Sequence, residues 1–96
     1  MENPHNVCFV DTETLGLDPD HQPIWELAWI LPNGDERTLT IRRTQREMAL
    51  AHPIALEMMG DRYEKARASG RLDSENMAIE FFVGATQGLH LAGAVV

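Results

Sequence analysis

The stretch FVDTETLGL, Phe9–Leu17, decides how the rest of the chain is read. An apolar run, Val7 to Val10, leads into Asp11, and Glu13 follows two positions later. A continuous apolar run of this kind predicts a central strand covered on both faces. Gly16 and Asp18-Pro19-Asp20 then signal a turn. Residues two apart in a strand share a face, with Cα atoms about 6.5–7 Å apart. Asp11 and Glu13 therefore point the same way from the end of the predicted strand, and their like charges repel. A divalent cation relieves that repulsion. Two carboxylates, with waters and substrate phosphates, are a common donor set for Mg²⁺, and the same hard oxygens suit Mn²⁺. Acids at a strand end are also often simply solvated.

Outward from this stretch, PIWELAWIL, Pro23–Leu31, reads as a second strand, apolar on both parities, with Glu26 its lone charge. Asn33-Gly34 is a strong hairpin signal because both residues accept positive φ. ERTLTIRR, Glu36–Arg43, alternates, with Leu39 and Ile41 on one face and Thr38, Thr40 and Arg42 on the other, as in a half-solvated or edge strand. Thr44 to Glu47 matches a capping box. Pro53 suits a first helical position, and Ile54–Met59 forms a short helix closed by Gly60. A further helix spans Asp61 to Ser69, ended by Gly70. Asp73 or Ser74 caps another through about Gln87, with Met77, Ala78, Phe81, Phe82 and Ala85 as its buried stripe. LHLAGAVV, Leu89–Val96, reads as a last strand. The order predicts an α/β fold: a mixed sheet made of a three-strand antiparallel meander, a helical crossover and a fourth strand.

The chain has 96 residues, enough for one small domain, and a hydrophobic fraction of 44%, which argues for a core rather than disorder. It contains no apolar run of membrane-spanning length, and MENPHN does not read as a signal peptide, so no membrane partner is expected. The single cysteine, Cys8, sits in the first apolar run and is expected to be a buried, inert thiol, which suits a cytoplasmic setting. The net charge of −7 is unevenly spread. Residues 37–71 hold all eight basic side chains against four acids, a net +4, and the remainder carries −11. Such a segment is either a phosphate-tracking surface or a solvated helical face with local ion pairs. Of the histidines, His5, His21, His52 and His90, none is expected to be catalytic. His90, on the last strand, is expected as a core histidine, and Asp18, Asp20 and His21 are expected to form an ordinary turn. Met58, Met59, Phe81 and Phe82 are expected in the core.

DTETLGL followed by IWELAWI resembles the first motif of the DEDD superfamily of 3′–5′ exonucleases, which includes proofreading exonucleases and oligoribonuclease. The matching positions are Asp11, Glu13, Thr14, Gly16 and Leu17, then Ile24, Glu26, Leu27 and Ala28. The resemblance implies a ribonuclease-H-like fold and a two-metal Mg²⁺ or Mn²⁺ site. It implies hydrolysis of nucleic acid, DNA or RNA, from the 3′ end to nucleoside monophosphates. Asp11 would bridge both metals and Glu13 would bind the metal that holds the attacking water. Thr12, Thr14, Leu15, Gly16 and Leu17 would receive the 3′-terminal nucleotide, with Leu15 or Leu17 against the base. Glu26 would either support the site by pairing with a neighbour or be a partly exposed strand glutamate.

The sequence departs from the family after its first motif. Leu91, Ala92 and Gly93 fit the strand that precedes the second acidic position, but Val95 stands where the family has Asn, and the third motif is absent. Residues 1–96 are thus expected to be the N-terminal part of a single exonuclease-like domain, incomplete at the C-terminus. Self-association, or a partner chain, through the unfinished last strand is expected. The competing expectation is a non-catalytic fragment or binding module of the same fold.

Overall fold

The computed structural model describes residues 6–16 and 22–95, with the side chains of residues 94 and 95 excepted. Strands β1 (Val7–Thr14), β2 (Ile24–Ile30) and β3 (Glu36–Ile41) form the antiparallel meander. Helices α1 (Gln45–Ala49), α2 (Pro53–Met59) and α3 (Arg62–Ala68) follow. Then come a two-residue strand β4 (Leu72–Asp73), helix α4 (Glu75–Ala85) and strand β5 (His90–Val95). The sheet order is β4-β3-β2-β1-β5, with β5 parallel to β1 and β4 parallel to β3. The architecture is α/β, a five-strand mixed sheet with four helices. β4 has no counterpart in the sequence reading, because two residues are too few to show a period.

Local chemistry sets the element ends. Thr44 and Glu47 form the predicted capping box: the Glu47 N–H donates to Thr44 Oγ1 at 3.0 Å and the Thr44 N–H donates to Glu47 Oε1 at 2.8 Å. That second bond, more than any other contact, holds the Glu47 carboxyl below its usual range. His52 caps α2 by accepting from the Ile54 N–H at its Nδ1, 3.1 Å away, ahead of Pro53. Ser74 caps α4. In the β2–β3 turn only Gly34 takes positive φ, at 91°. Asn33 does not join it. Its side chain bonds Asp35 instead, so the turn is not the two-residue form that Asn-Gly predicts.

Burial corrects four expectations. One face of the sheet is packed on α4. There Cys8, Leu27, Trp29, Leu39 and Ile41 pack on Ala78 of α4, with Val10, Phe82, Ala85 and Leu89 at the margin. On the other face Phe9 is 58% exposed and Ile30 is 41% exposed, so β1 is not the doubly buried strand its sequence predicts. On α4 the buried line is narrower than predicted: Ala78 is buried and Phe82 and Ala85 are half-buried, while Met77 and Phe81 lie exposed. Phe81 is held at the surface, 4.5 Å from the Arg37 guanidinium carbon and 6.0 Å from the Trp29 ring. Of the methionine pair Met59 is buried and Met58 exposed. His90 is exposed rather than a core histidine, and His5 and His21 fall outside the described residues. Cys8 is buried as predicted, and burial pushes its thiol pKa up. No helix among the described residues is long and apolar enough to cross a membrane.

Candidate metal and nucleic-acid site

β1 extends through Thr14, so both acids lie within the strand rather than at its end. Alternation puts Cys8, Val10 and Thr12 on the α4 side and Phe9, Asp11 and Glu13 on the open side. The antiparallel register sets Phe9 against Ile30, Asp11 against Ala28 and Glu13 against Glu26. Asp11 is exposed and Glu13 half-buried. Phe9, Asp11, Ala28, Ile30, Glu36 and Thr38 line a shallow depression of about 270 Å³. An exposed carboxylate therefore stands beside an apolar wall.

Just past the acids the register slips: Glu13 faces Glu26 but Thr14 faces Ile24, leaving Trp25 without a β1 partner. Such a bulge re-aims a side chain and is common beside functional sites. Trp25 here joins a second buried cluster with Leu15, Met59 and Tyr63. Its ring meets Tyr63 edge-on at 6.4 Å. Leu15 is wholly buried, and its backbone is tied to both flanking segments. Its N–H donates to Pro23 O at 3.0 Å, and its C=O accepts from His52 N–H at 2.7 Å.

Glu26 lies across from Glu13 without joining it. Its carboxylate accepts a hydrogen bond from Arg62 Nη1 at 2.9 Å. Burial raises the Glu26 pKa. Arg62 pulls it down, and the charges of Glu13 and Asp11 push it further up. Arg62 also stacks 5.0 Å over Trp25 and donates to the carbonyls of Met58 and Met59. It thus ties the end of α2 and start of α3 to the acid-bearing face. The ion pair is one of the two readings the sequence left open for Glu26. Its partner was not identifiable, because the contact spans 36 positions and α3 carries several other basic residues.

The predicted nucleotide-receiving residues divide. Thr12 is set on the face opposite the acids, its buried hydroxyl without a hydrogen-bond partner among the described residues. Thr14 is buried and its hydroxyl donates to Gly16 O at 2.5 Å. Leu15 is a wholly buried core residue. Gly16 is buried against Gln22, whose side chain a Cβ there would overlap. Leu17, Asp18, Asp20 and His21 lie outside the described residues. Among the described residues no three His, Cys, Asp or Glu side chains gather closely enough to hold a metal ion. Asp11 and Glu13 share the open face of β1. Their number and oxygen chemistry fit a hard cation that keeps waters or phosphate oxygens as its other ligands.

No family model matches the chain. It is 46% identical to a protein named oligoribonuclease from Pseudomonas aeruginosa over 39 residues, 41% of this chain and 22% of the relative. Over stretches of the same length and coverage it is 44% identical to oligoribonucleases of Pseudomonas fluorescens and Pseudomonas putida. The match thus covers under a quarter of those relatives' length. At the family level the chain resembles the oligoribonucleases over this stretch, and so has a nuclease-like relationship.

Proposed function

We propose that this chain is the N-terminal part of a ribonuclease-H-like domain and carries the first metal-ligating motif of a divalent-metal-dependent 3′–5′ exonuclease. The observation that carries the reading is the pair Asp11 and Glu13, side by side on the open face of a strand whose sequence has the DEDD form. The substrate class is nucleic acid with a free 3′ end. RNA is favoured because the similar proteins are named oligoribonucleases. The cation is Mg²⁺ or Mn²⁺, held by Asp11 and Glu13, and the setting is cytoplasmic. Bound there, it supplies Lewis-acid chemistry for phosphodiester hydrolysis.

The chain's own groups do the rest. The two carboxylates fix where the terminal phosphate sits. Buried Gly16 and the pinned Leu15 backbone hold the segment after β1 in place. With Leu15 in the core, the base-facing role passes to the apolar wall of Ala28, Ile30 and Phe9 beside Asp11. Arg62 keeps Glu26 occupied, so the two acids on β1 form the metal-facing pair.

A second reading follows from that same ion pair. With Glu26 turned to Arg62, two carboxylates make a half-site, and full activity needs acids from further chain or from another subunit. The test is digestion of a 5′-labelled oligoribonucleotide in Mn²⁺, with Asp11→Ala beside the parent chain and Mn²⁺ binding followed by water-proton relaxation. A ladder of 3′-shortened products that Asp11→Ala abolishes supports the exonuclease. Mn²⁺ binding lost in Asp11→Ala without any ladder supports the half-site. Relaxation unchanged by the substitution refutes both.

A further inference from the structure

The charge segregation of the sequence becomes a surface in the fold. β3 pairs with β2 over most of its length but with β4 only at Thr40 and Ile41. Two depressions flank that short pairing. One, of about 280 Å³, is lined by Arg42, Arg43, Tyr63 and Arg67. The other, of about 260 Å³, is lined by Arg37, Thr38, Thr40 and Arg71. Asp73 is the one carboxylate among the described residues lining either.

These arginines are not equivalent. Arg43 is structural: its side chain is 6% exposed, it lies 3.5 Å from Glu47 and 3.7 Å from Glu75, and its N–H donates to the Tyr63 hydroxyl at 2.9 Å. Arg67 is paired with Glu64. Arg42 and Arg71 are exposed and have no ion pair among the described residues. The Arg42 N–H donates to Asp73 O at 2.7 Å, which continues the β3–β4 ladder and keeps its backbone extended. Arg42 therefore keeps the parity of Thr40, the face that bears Glu26 and Glu13.

The register gives the spacing. Glu13, Glu26 and Thr40 lie in one row across three strands, and Arg42 is two residues beyond Thr40. Two strand spacings and two residue rises place Arg42 about 12 Å from Glu13 between Cα atoms. Phosphates along one strand of a duplex advance about 3.4 Å each, so the span is roughly two to four nucleotides. Guanidinium forks match phosphate oxygens in two-point geometry.

We propose that the arginine-lined edge of β3, centred on Arg42 and Arg71, is a phosphodiester-backbone site that holds the nucleic-acid strand a few nucleotides upstream of its 3′ end. This rests on the exonuclease reading of Asp11 and Glu13, whose 3′-terminal nucleotide it would extend. The acidic remainder of the chain, at −11, would repel a broad anionic membrane, whereas a single strand can follow the basic edge alone.

The test is fluorescence anisotropy of a 5′-labelled RNA octamer and a labelled dinucleotide in Ca²⁺. The parent chain is compared with Arg42→Ala, Arg71→Ala and Asp11→Ala, each checked for folding by circular dichroism. Either arginine variant should bind the octamer about five- to tenfold more weakly. Its salt dependence should fall by about 0.7 in log K per log salt for each lost phosphate contact, the single-strand value. Dinucleotide binding should not change. Octamer affinity and salt slope unchanged in both folded arginine variants would overturn the proposal. If Asp11→Ala still abolishes metal-dependent cleavage, the exonuclease reading then survives without it. Loss of octamer binding in the arginine variants, with metal binding unaffected by Asp11→Ala, would keep this site and remove that reading. Equal loss of binding to phosphatidylserine vesicles would reassign the surface to membranes and refute the proposal.

Discussion

Replacing Arg62 by alanine tests the link between the acid-bearing face and the helices beside it. Three contacts go at once: the 2.9 Å bond to Glu26, the stack on Trp25 at 5.0 Å, and the bonds to the α2 carbonyls. Glu26 is the more buried partner, its side chain 13% exposed, while Arg62 is 49% exposed. A charge-assisted hydrogen bond contributes about 1.5–3 kcal/mol when shielded, and the exposure of Arg62 reduces that to about 1 kcal/mol. The cation–π stack adds about 0.5 kcal/mol. Arg62→Ala should therefore lose about 1.5 kcal/mol at pH 7, a drop in Tm of roughly 6–12 °C for a domain of this size.

The pH dependence has a definite sign. The folded Glu26 pKa lies above its unfolded value, so the stability Glu26 contributes is fully present below about pH 4.3, the unfolded value. That contribution is lost as pH rises through the folded pKa. Removing Arg62 takes away the one downward pull of opposite charge, so the loss continues to higher pH. The gap between parent and variant should be widest near neutrality. It should shrink to the packing remainder once Glu26 is protonated in both states. Urea unfolding at several pH values, in a double-mutant cycle with Glu26→Gln, measures this directly. A coupling below about 0.3 kcal/mol at pH 7, or a gap that widens toward acid, would refute the reasoning.

Three further outcomes follow from the same burial pattern. Thr12→Val removes a buried hydroxyl that lacks a partner among the described residues, which costs about 1–3 kcal/mol while it stays unsatisfied, so the variant should unfold at higher urea. A clear destabilisation would show that the hydroxyl is bonded. Leu15→Ala empties a position at the centre of the second cluster and should lose about 2–5 kcal/mol. A fully stable Leu15→Ala with weakened nucleotide binding would give the base-contacting role to Leu15. Cys8 is buried with its thiol pKa raised, so a disulfide reagent at pH 8 should leave the folded chain unlabelled and react at the rate of unfolding. Prompt labelling under native conditions would show the first strand to be open on its α4 side.

What the sequence made legible was what depends on near neighbours. Strand parity alone put Asp11 and Glu13 on one face. The Thr44–Glu47 box, Pro53 and Ser74 fixed three helix starts, and each relies on groups within three positions. The meander followed from short connections. What was not legible depended on partners far along the chain. Arg62 reaches Glu26 across 36 positions, and nothing local distinguishes it from Lys65 or Arg67. The bulge that turns Trp25 inward leaves no periodic trace, since the strand is apolar on both parities. Leu15 sits in a run of loop-like residues, and its place in the core depends on α2 and α3 closing over it.

The sharpest disagreement between pattern and fold bears on function. Val7 to Val10 reads as a strand buried on both faces, yet Phe9 is exposed and faces exposed Ile30 across the register. Two large apolar side chains side by side at the surface keep their hydrophobic free energy in reserve, at about 25 cal/mol for each Å² that something later covers. They stand one register step from Asp11 and Ala28, so whatever covers them also approaches the acid. A nucleotide base is flat and apolar on its faces, and aromatic stacking on it contributes about 1–3 kcal/mol. On the exonuclease reading, Phe9 is the base platform, on the same face as the carboxylates. Phe9→Ala should weaken binding of a 3′-terminal nucleotide by about fivefold at the lower end of that range. It should cost little stability, because Phe9 is 58% exposed. If the variant unfolds early and binds normally, the open face is packing surface and the platform must be sought elsewhere.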